Sequence, residues 1–164
     1  MSHPEGSQSN MSSTIRIRNC TQEDFFKLWE MDWTPLPKER DTIYLILTIE
    51  HCGLSFVAED GHGAWLGVLL ASRSSDGNSC FLNHLLVMRP AREKGVGSAL
   101  VKHLQRICTD IGVRRIWLFT KERNRRFYRR LGFNEDSTLL VPSVAEYTRV
   151  KKGFVMTIHL PSSR

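Results

Sequence analysis

Apolar residues recur along the chain in two rhythms, and their alternation sets out the expected elements. Residues 14–18 (TIRIR) alternate apolar and basic side chains, the period-two spacing of a strand. Thr21-Gln22-Glu23-Asp24 then offers a capping residue with acids in the first turn. Phe25, Leu28 and Trp29 follow at spacings of three and four, so a helix is expected, ended near Asp32 by Pro35 and Pro37. Residues 38–51 read as a second helix with Ile43, Ile46 and Leu47 on one face; their β-branched content makes a strand the alternative. Residues 54–59 and 65–72 read as strands joined by the tight turn Asp60-Gly61-His62-Gly63. A turn at 74–79 leads to a third strand at 80–88, apolar almost throughout and so expected at the centre of a sheet. Val96, Leu100, Leu104, Ile107, Cys108 and Ile111 mark an amphipathic helix over 95–111, with Gly112 as its C-terminal cap. A short strand at 115–120, a basic helix at 124–131 and two strands within 133–160, the better at 153–160, complete the chain. The order β-α-α-β-β-β-α-β-α-β-β is that of a mixed α+β sheet with helices packed on it.

At 164 residues the chain has the size of one domain, expected over 14–164. Residues 1–13 carry five serines and almost nothing apolar, the composition of a disordered tail. No apolar run approaches the roughly 20 residues of a membrane span, and no secretory leader is evident. The expectation is a soluble, cytoplasmic protein without membrane contact. Cys20, Cys52, Cys80 and Cys108 form no CxxC pair, so neither a metal site nor a redox motif is expected. The net charge of +6 is unevenly placed. Arg92, Lys94, Lys102, Arg123, Arg125, Arg126, Arg129 and Arg130 all fall in the second half, which suits a solvated surface or a polyanionic partner.

One segment stands apart on physical grounds. The strand containing Leu85, Leu86 and Val87 runs into Arg92-Glu93-Lys94-Gly95-Val96-Gly97-Ser98, which opens the long helix. Glycines let such a loop turn tightly, and a helix N-terminus offers unpaired N–H groups with a partial positive charge. Together these make a cradle for a pyrophosphate.

Arg92-x-x-Gly95-x-Gly97, with the Leu-Leu-Val strand before it and Ser98-Ala99-Leu100 after it, resembles the acyl-CoA signature of the GNAT superfamily of N-acetyltransferases. Phe127-Tyr128-Arg129-Arg130-Leu131-Gly132-Phe133 is similar to that superfamily's second signature, one helix and one strand downstream. The resemblance covers about residues 14–160. It implies a GNAT-like fold, a central, mostly antiparallel mixed sheet of six or seven strands flanked by about four helices. It further implies acetyl-CoA as co-substrate, no metal, and a primary amine as acceptor. Pantetheine would pair with backbone at Leu85, Leu86 and Val87, in a gap between the strands at 80–88 and 115–120. The pyrophosphate would rest on the 92–98 loop, and Tyr128 would stand beside the CoA sulfur. Asn124 either bonds the pantetheine or caps its helix. The glutamate that many members hold on the strand before this helix is replaced by Phe119.

Direct transfer requires a base for the amine, donors for the oxyanion and an acid for the thiolate. Tyr128 is the candidate acid and backbone N–H near Val87 the oxyanion donor. His84 is the candidate base, since histidine is the side chain type suited to proton transfer near neutral pH; Glu122, Glu59 or an ordered water are alternatives, and His84 also suits plain packing. A non-catalytic acyl-CoA-binding module is the main rival. A nucleic-acid-binding domain has only the Arg123–Arg130 stripe in its favour. Trp33, Tyr44 and Tyr147 either line the acceptor site or belong to the core. A monomer and a homodimer are both compatible with the sequence.

Overall fold

A computed structural model of the protein describes residues 14–32, 53–136, 138 and 142–162. The tail at 1–13, the second helix at 38–51, Trp33 and Tyr44 lie outside the described residues. Strand β1 (Arg16–Asn19) leads through a 3-10 turn (Gln22–Asp24) into helix α1 (Phe25–Glu30). Strands β2 (Phe56–Glu59), β3 (Trp65–Arg73) and β4 (Ser79–Val87) form a meander, followed by α2 (Val96–Asp110) and β5 (Arg115–Lys121). Helix α3 (Glu122–Arg130), β6 (Asn134–Glu135), α4 (Pro142–Val150) and β7 (Gly153–His159) complete it. The strands lie in the order β1-β2-β3-β4-β5-β7-β6, and every neighbouring pair is antiparallel except β4 and β5. This is the mixed sheet with flanking helices that the sequence leads one to expect.

Local chemistry explains most of these elements. Thr21 donates its backbone N–H to Asp24 Oδ2 at 2.8 Å, which starts the turn into α1. Asp60 folds the β2–β3 turn, accepting from the N–H groups of His62 and Ala64 at 2.8 and 2.9 Å. Two departures from expectation concern the last third of the chain. Helix α3 begins at Glu122, because β5 runs straight into it with Lys121 at the N-cap; Asn124 lies inside the first turn and is not the cap. Helix α4 stands between the two expected strands, β6 and β7, in a stretch for which no helix is expected. Pro142 suits a helix start, while Val144, Thr148 and Val150 carry the β-branched signature of strand, so the sequence reads both ways.

The two faces of the sheet bury different clusters. Helices α2 and α3 cover one face, where Leu100, Leu104 and Tyr128 pack with Leu69, Leu82, Ile116 and Leu118. Helix α1 covers the other through Leu28, against Val57, Val68, Leu70 and Leu86. Partly buried ion pairs hold α1 to the sheet: Arg18 bonds both oxygens of Asp24 at 2.8 and 2.9 Å and Glu59 at 2.8 Å. Burial alone would raise the Asp24 carboxyl; the hydrogen bonds from Arg18 and Thr21 outweigh it and hold the group below the ordinary range.

Helix α2 lies close over β3, and Gly67 permits the approach. A Cβ there would stand 2.9 Å from the Leu86 carbonyl oxygen and 3.2 and 3.3 Å from Val96 and Leu100 side-chain carbons. Replacing Gly67 by Ala is therefore an overpacking change, expected to cost about 1–3 kcal/mol. The check is urea unfolding: the midpoint should fall with an unchanged slope. An unchanged midpoint would mean that the helix can lift off β3 freely.

Candidate active site

The sheet opens at its centre. Parallel pairing of β4 with β5 joins only Ser79–Leu82 to Arg115–Leu118. Beyond that point β4 continues beside β3 alone, and a register shift marks the parting: Leu70 faces His84 while Ala71 faces Leu82, so Asn83 is an extra residue in β4. The bulge changes which residues face α2. Before it, Cys80 and Leu82 point there; after it, Leu85 and Val87 do, and Leu86 turns to the α1 side. An apolar run that reads as one buried strand is thus two half-buried segments of opposite phase.

The bulge also exposes backbone. Met88 donates its N–H to the Leu66 carbonyl at 2.9 Å, so the polar groups of Leu85 and Val87 turn the other way, into the gap. Arg92 Nε meets the Val87 carbonyl there at 3.2 Å. At the far end of the gap Glu93 and Gly95 adopt left-handed dihedrals, with φ of 62° and 81°. The chain turns sharply into α2, whose first N–H groups have no intrahelical acceptors. Gly95 needs no side-chain-free surroundings, only the dihedral; Gly97 is the reverse. It is helical and buried, and a Cβ on it would meet the Phe127 ring at 3.3 Å and Val87 at 3.4 Å.

Two cavities open on the gap. The larger, about 690 Å³, is lined by Leu85, Leu86 and Val87 of β4, by Arg92, Glu93, Gly95, Val96, Gly97 and Ser98 of the loop and helix, and by Asn124 and Tyr128. Every residue assigned to cofactor binding on sequence grounds lies there except Lys94, which is exposed and does not line it. The wall also contains Ala91, Arg123, Phe127 and Arg130, which sequence reasoning did not single out for this role. The signal was available, since 123, 127 and 130 are spaced to share one helical face. The smaller cavity, about 520 Å³, is lined by His84, Phe81, Phe119, Lys121, Tyr147 and Lys151 among others. Leu85, Arg123, Asn124 and Tyr128 border both.

Tyr128 is the partition. It is 7% exposed, its ring held edge-on by Phe127 and Phe133 at centroid distances of 5.0 and 5.7 Å. Burial raises its phenol above the ordinary value, so the hydroxyl stays a donor at neutral pH. Glu59 and Glu122, the alternative bases, line neither cavity: Glu59 is bound to Arg18 and Glu122 to Arg125.

The sequence profile of the acetyltransferase (GNAT) family matches residues 15–133. The chain belongs to that family. Among curated proteins none matches the sequence. Solved GNAT structures share the fold of this acetyltransferase. Ard1 from Thermoplasma volcanium superposes with a TM-score of 0.72 at 21% identity, over 90% of this chain and 99% of that one. Arabidopsis thaliana Naa50, in complex with the bisubstrate analogue CoA-Ac-MVNAL, gives 0.69 at 16% identity, over 88% and 97%. N-acetylglutamate synthase from Neisseria gonorrhoeae, complexed with coenzyme A and N-acetyl-glutamate, gives 0.71 at 17% identity, over 91% of this chain and 36% of that longer one.

The Tyr128 phenol of this GNAT acetyltransferase has a testable link to stability. Its folded pKa lies above the unfolded value of about 10. Its contribution is therefore complete below about pH 10 and is lost as pH rises toward the folded pKa. Melting temperatures at pH 9, 10 and 11 should fall more steeply for the unmodified protein than for Tyr128→Phe. Parallel slopes would mean that the phenol is not desolvated.

Proposed function

We propose that the protein transfers an acetyl group from acetyl-CoA to a primary amine by direct attack, with CoA in the larger cavity and the acceptor in the smaller. The observation that carries this reading is the wall the cavities share: Leu85 at the open edge of β4 and Arg123, Asn124 and Tyr128 of α3 border both. In this reading pantetheine completes the broken ladder at Leu85 and Val87. The pyrophosphate takes the first-turn amides of α2, aided by Arg92 and Arg130. Asn124 contacts the pantetheine arm. The CoA complexes of two structural neighbours support the choice of ligand. Buried free thiols at Cys20, Cys80 and Cys108 suit a reducing cytoplasmic setting.

The chemistry follows from the partition. The amine nitrogen attacks the thioester carbonyl carbon; a C–N bond forms and the carbonyl electrons move to oxygen, where N–H groups of β4 receive them. Collapse breaks the C–S bond. Tyr128, the general acid, gives its proton to the departing sulfur. The proton shed by the amine passes to His84 or water and returns to the tyrosinate. The tyrosinate of a phenol raised above about 10 is a strong base and takes up this amine-derived proton, while the thiol keeps the one it received. The products are the N-acetylated amine and CoA thiol.

Two measurements test this reading. Acetyl-CoA should raise the melting temperature by an amount that grows with its concentration. Gly97→Val should remove the shift, because the added methyls displace Phe127 and Val87 from the cavity wall; an undiminished shift in a folded variant would misplace the cofactor. Tyr128→Phe should lower kcat by about 10- to 1000-fold with little change in KM for acetyl-CoA. A folded variant with unchanged kcat would remove the acid role.

A further inference from the structure

The smaller cavity has an electrostatic character that the transfer chemistry does not require. Lys121, Arg123 and Lys151 line it, His84 stands on its wall, and no carboxylate lines it among the described residues. None of these three cations is ion-paired to a described residue, whereas Arg18, Arg89, Arg106, Arg125, Arg129 and Arg149 all are. Lys121 is also fixed in place. Its Nζ donates to the Lys151 carbonyl and lies 5.5 Å from the centroid of the Phe119 ring. That bond brings the end of β5 and the turn after α4 together, so Lys121 and Lys151 are neighbours on the cavity wall. The middle is aromatic: Phe119 and Tyr147 pack at 5.3 Å between centroids, and Phe81 lies on the same side of the sheet.

We propose that the acceptor is a small amino carboxylate with an apolar middle, its carboxylate held by Lys121 and Lys151 and its apolar part against Phe119 and Tyr147. This rests on the reading of the smaller cavity as the acceptor site. A volume of about 520 Å³ suits a molecule of that size. The positive field acts twice. It attracts the carboxylate, and it disfavours the ammonium form of the incoming amine, which must be neutral to attack. A polycationic acceptor meets like charge in this cavity.

The test measures affinity for products, so it does not depend on turnover. N-acetyl-phenylalanine, N-acetyl-phenylalaninamide and N-acetylspermidine are titrated calorimetrically into the CoA-loaded protein. The acid should bind at least tenfold more tightly than its amide, and the polyamine more weakly than either. Lys151→Glu should erase the preference for the acid while leaving CoA affinity unchanged, since Lys151 lines only the smaller cavity. Equal binding of acid and amide, tighter binding of the polyamine, or no binding of the acid at millimolar concentration would each overturn the proposal. Failure of the cofactor reading shows in a separate arm, where CoA itself would not bind the unliganded protein.

Discussion

Two parallel strands that part company after four residues organise this molecule. Where β4 leaves β5, polar backbone groups of Leu85 and Val87 lose a partner that a sheet would ordinarily supply. Arg92 Nε satisfies the Val87 carbonyl, and the remaining half-buried groups are open to water or to a molecule able to continue the ladder. Everything around it serves that opening. The bulge at Asn83 keeps β4 paired to β3 while turning its side chains out of phase, and α3 is set at the mouth by the direct join of Lys121 to Glu122. Tyr128, its ring packed between Phe127 and Phe133, borders both cavities.

The opposite face of the sheet makes the opening affordable. Leu28 and its neighbours form a small second cluster, and Arg18 clamps α1 to β2 through Asp24 and Glu59. Apart from Leu86, which also lines the larger cavity, these contacts lie away from the gap and give β1, β2 and β3 a frame of their own. The main cluster does approach the gap, through Leu118, Tyr128 and Phe133, and there the packing is mostly aromatic. Rings of that kind give broad, stiff contact with little side-chain entropy to lose.

Legibility followed the physics of each segment. Helix α2 was plain because one face of it is buried continuously, from Val96 to Cys108. The β2–β3 turn was plain because Asp60 and its glycines have few other uses. The bulge was hidden, since Leu82, Leu85, Leu86 and Val87 are apolar on both sides of it and a phase change leaves no trace in such a run. Helix α4 was hidden because it is short and half-exposed, so its β-branched residues outweigh a weak pattern. In the site, the loop residues were readable from composition. The reason for Gly97 was not: its side-chain space belongs to Phe127, thirty positions away, which only the fold brings near. The walls of the smaller cavity come from four separate elements and share no local pattern.

Phe119 lies across Gly153 so closely that a Cβ on the glycine would fall within its ring. The two residues belong to neighbouring strands, and Phe119 lines the smaller cavity while Gly153 backs it, but their tolerance for change is unequal. Any side chain at 153 conflicts with the ring, while a smaller residue at 119 conflicts with nothing and only leaves a void. Change in the shape of the smaller cavity therefore has a direction at this pair: position 119 must shrink first, and position 153 is free to vary only afterwards. A lineage that has filled position 153 has closed the way back to an aromatic residue at 119, so the glycine works as a ratchet on the cavity's shape as well as a gap in the packing.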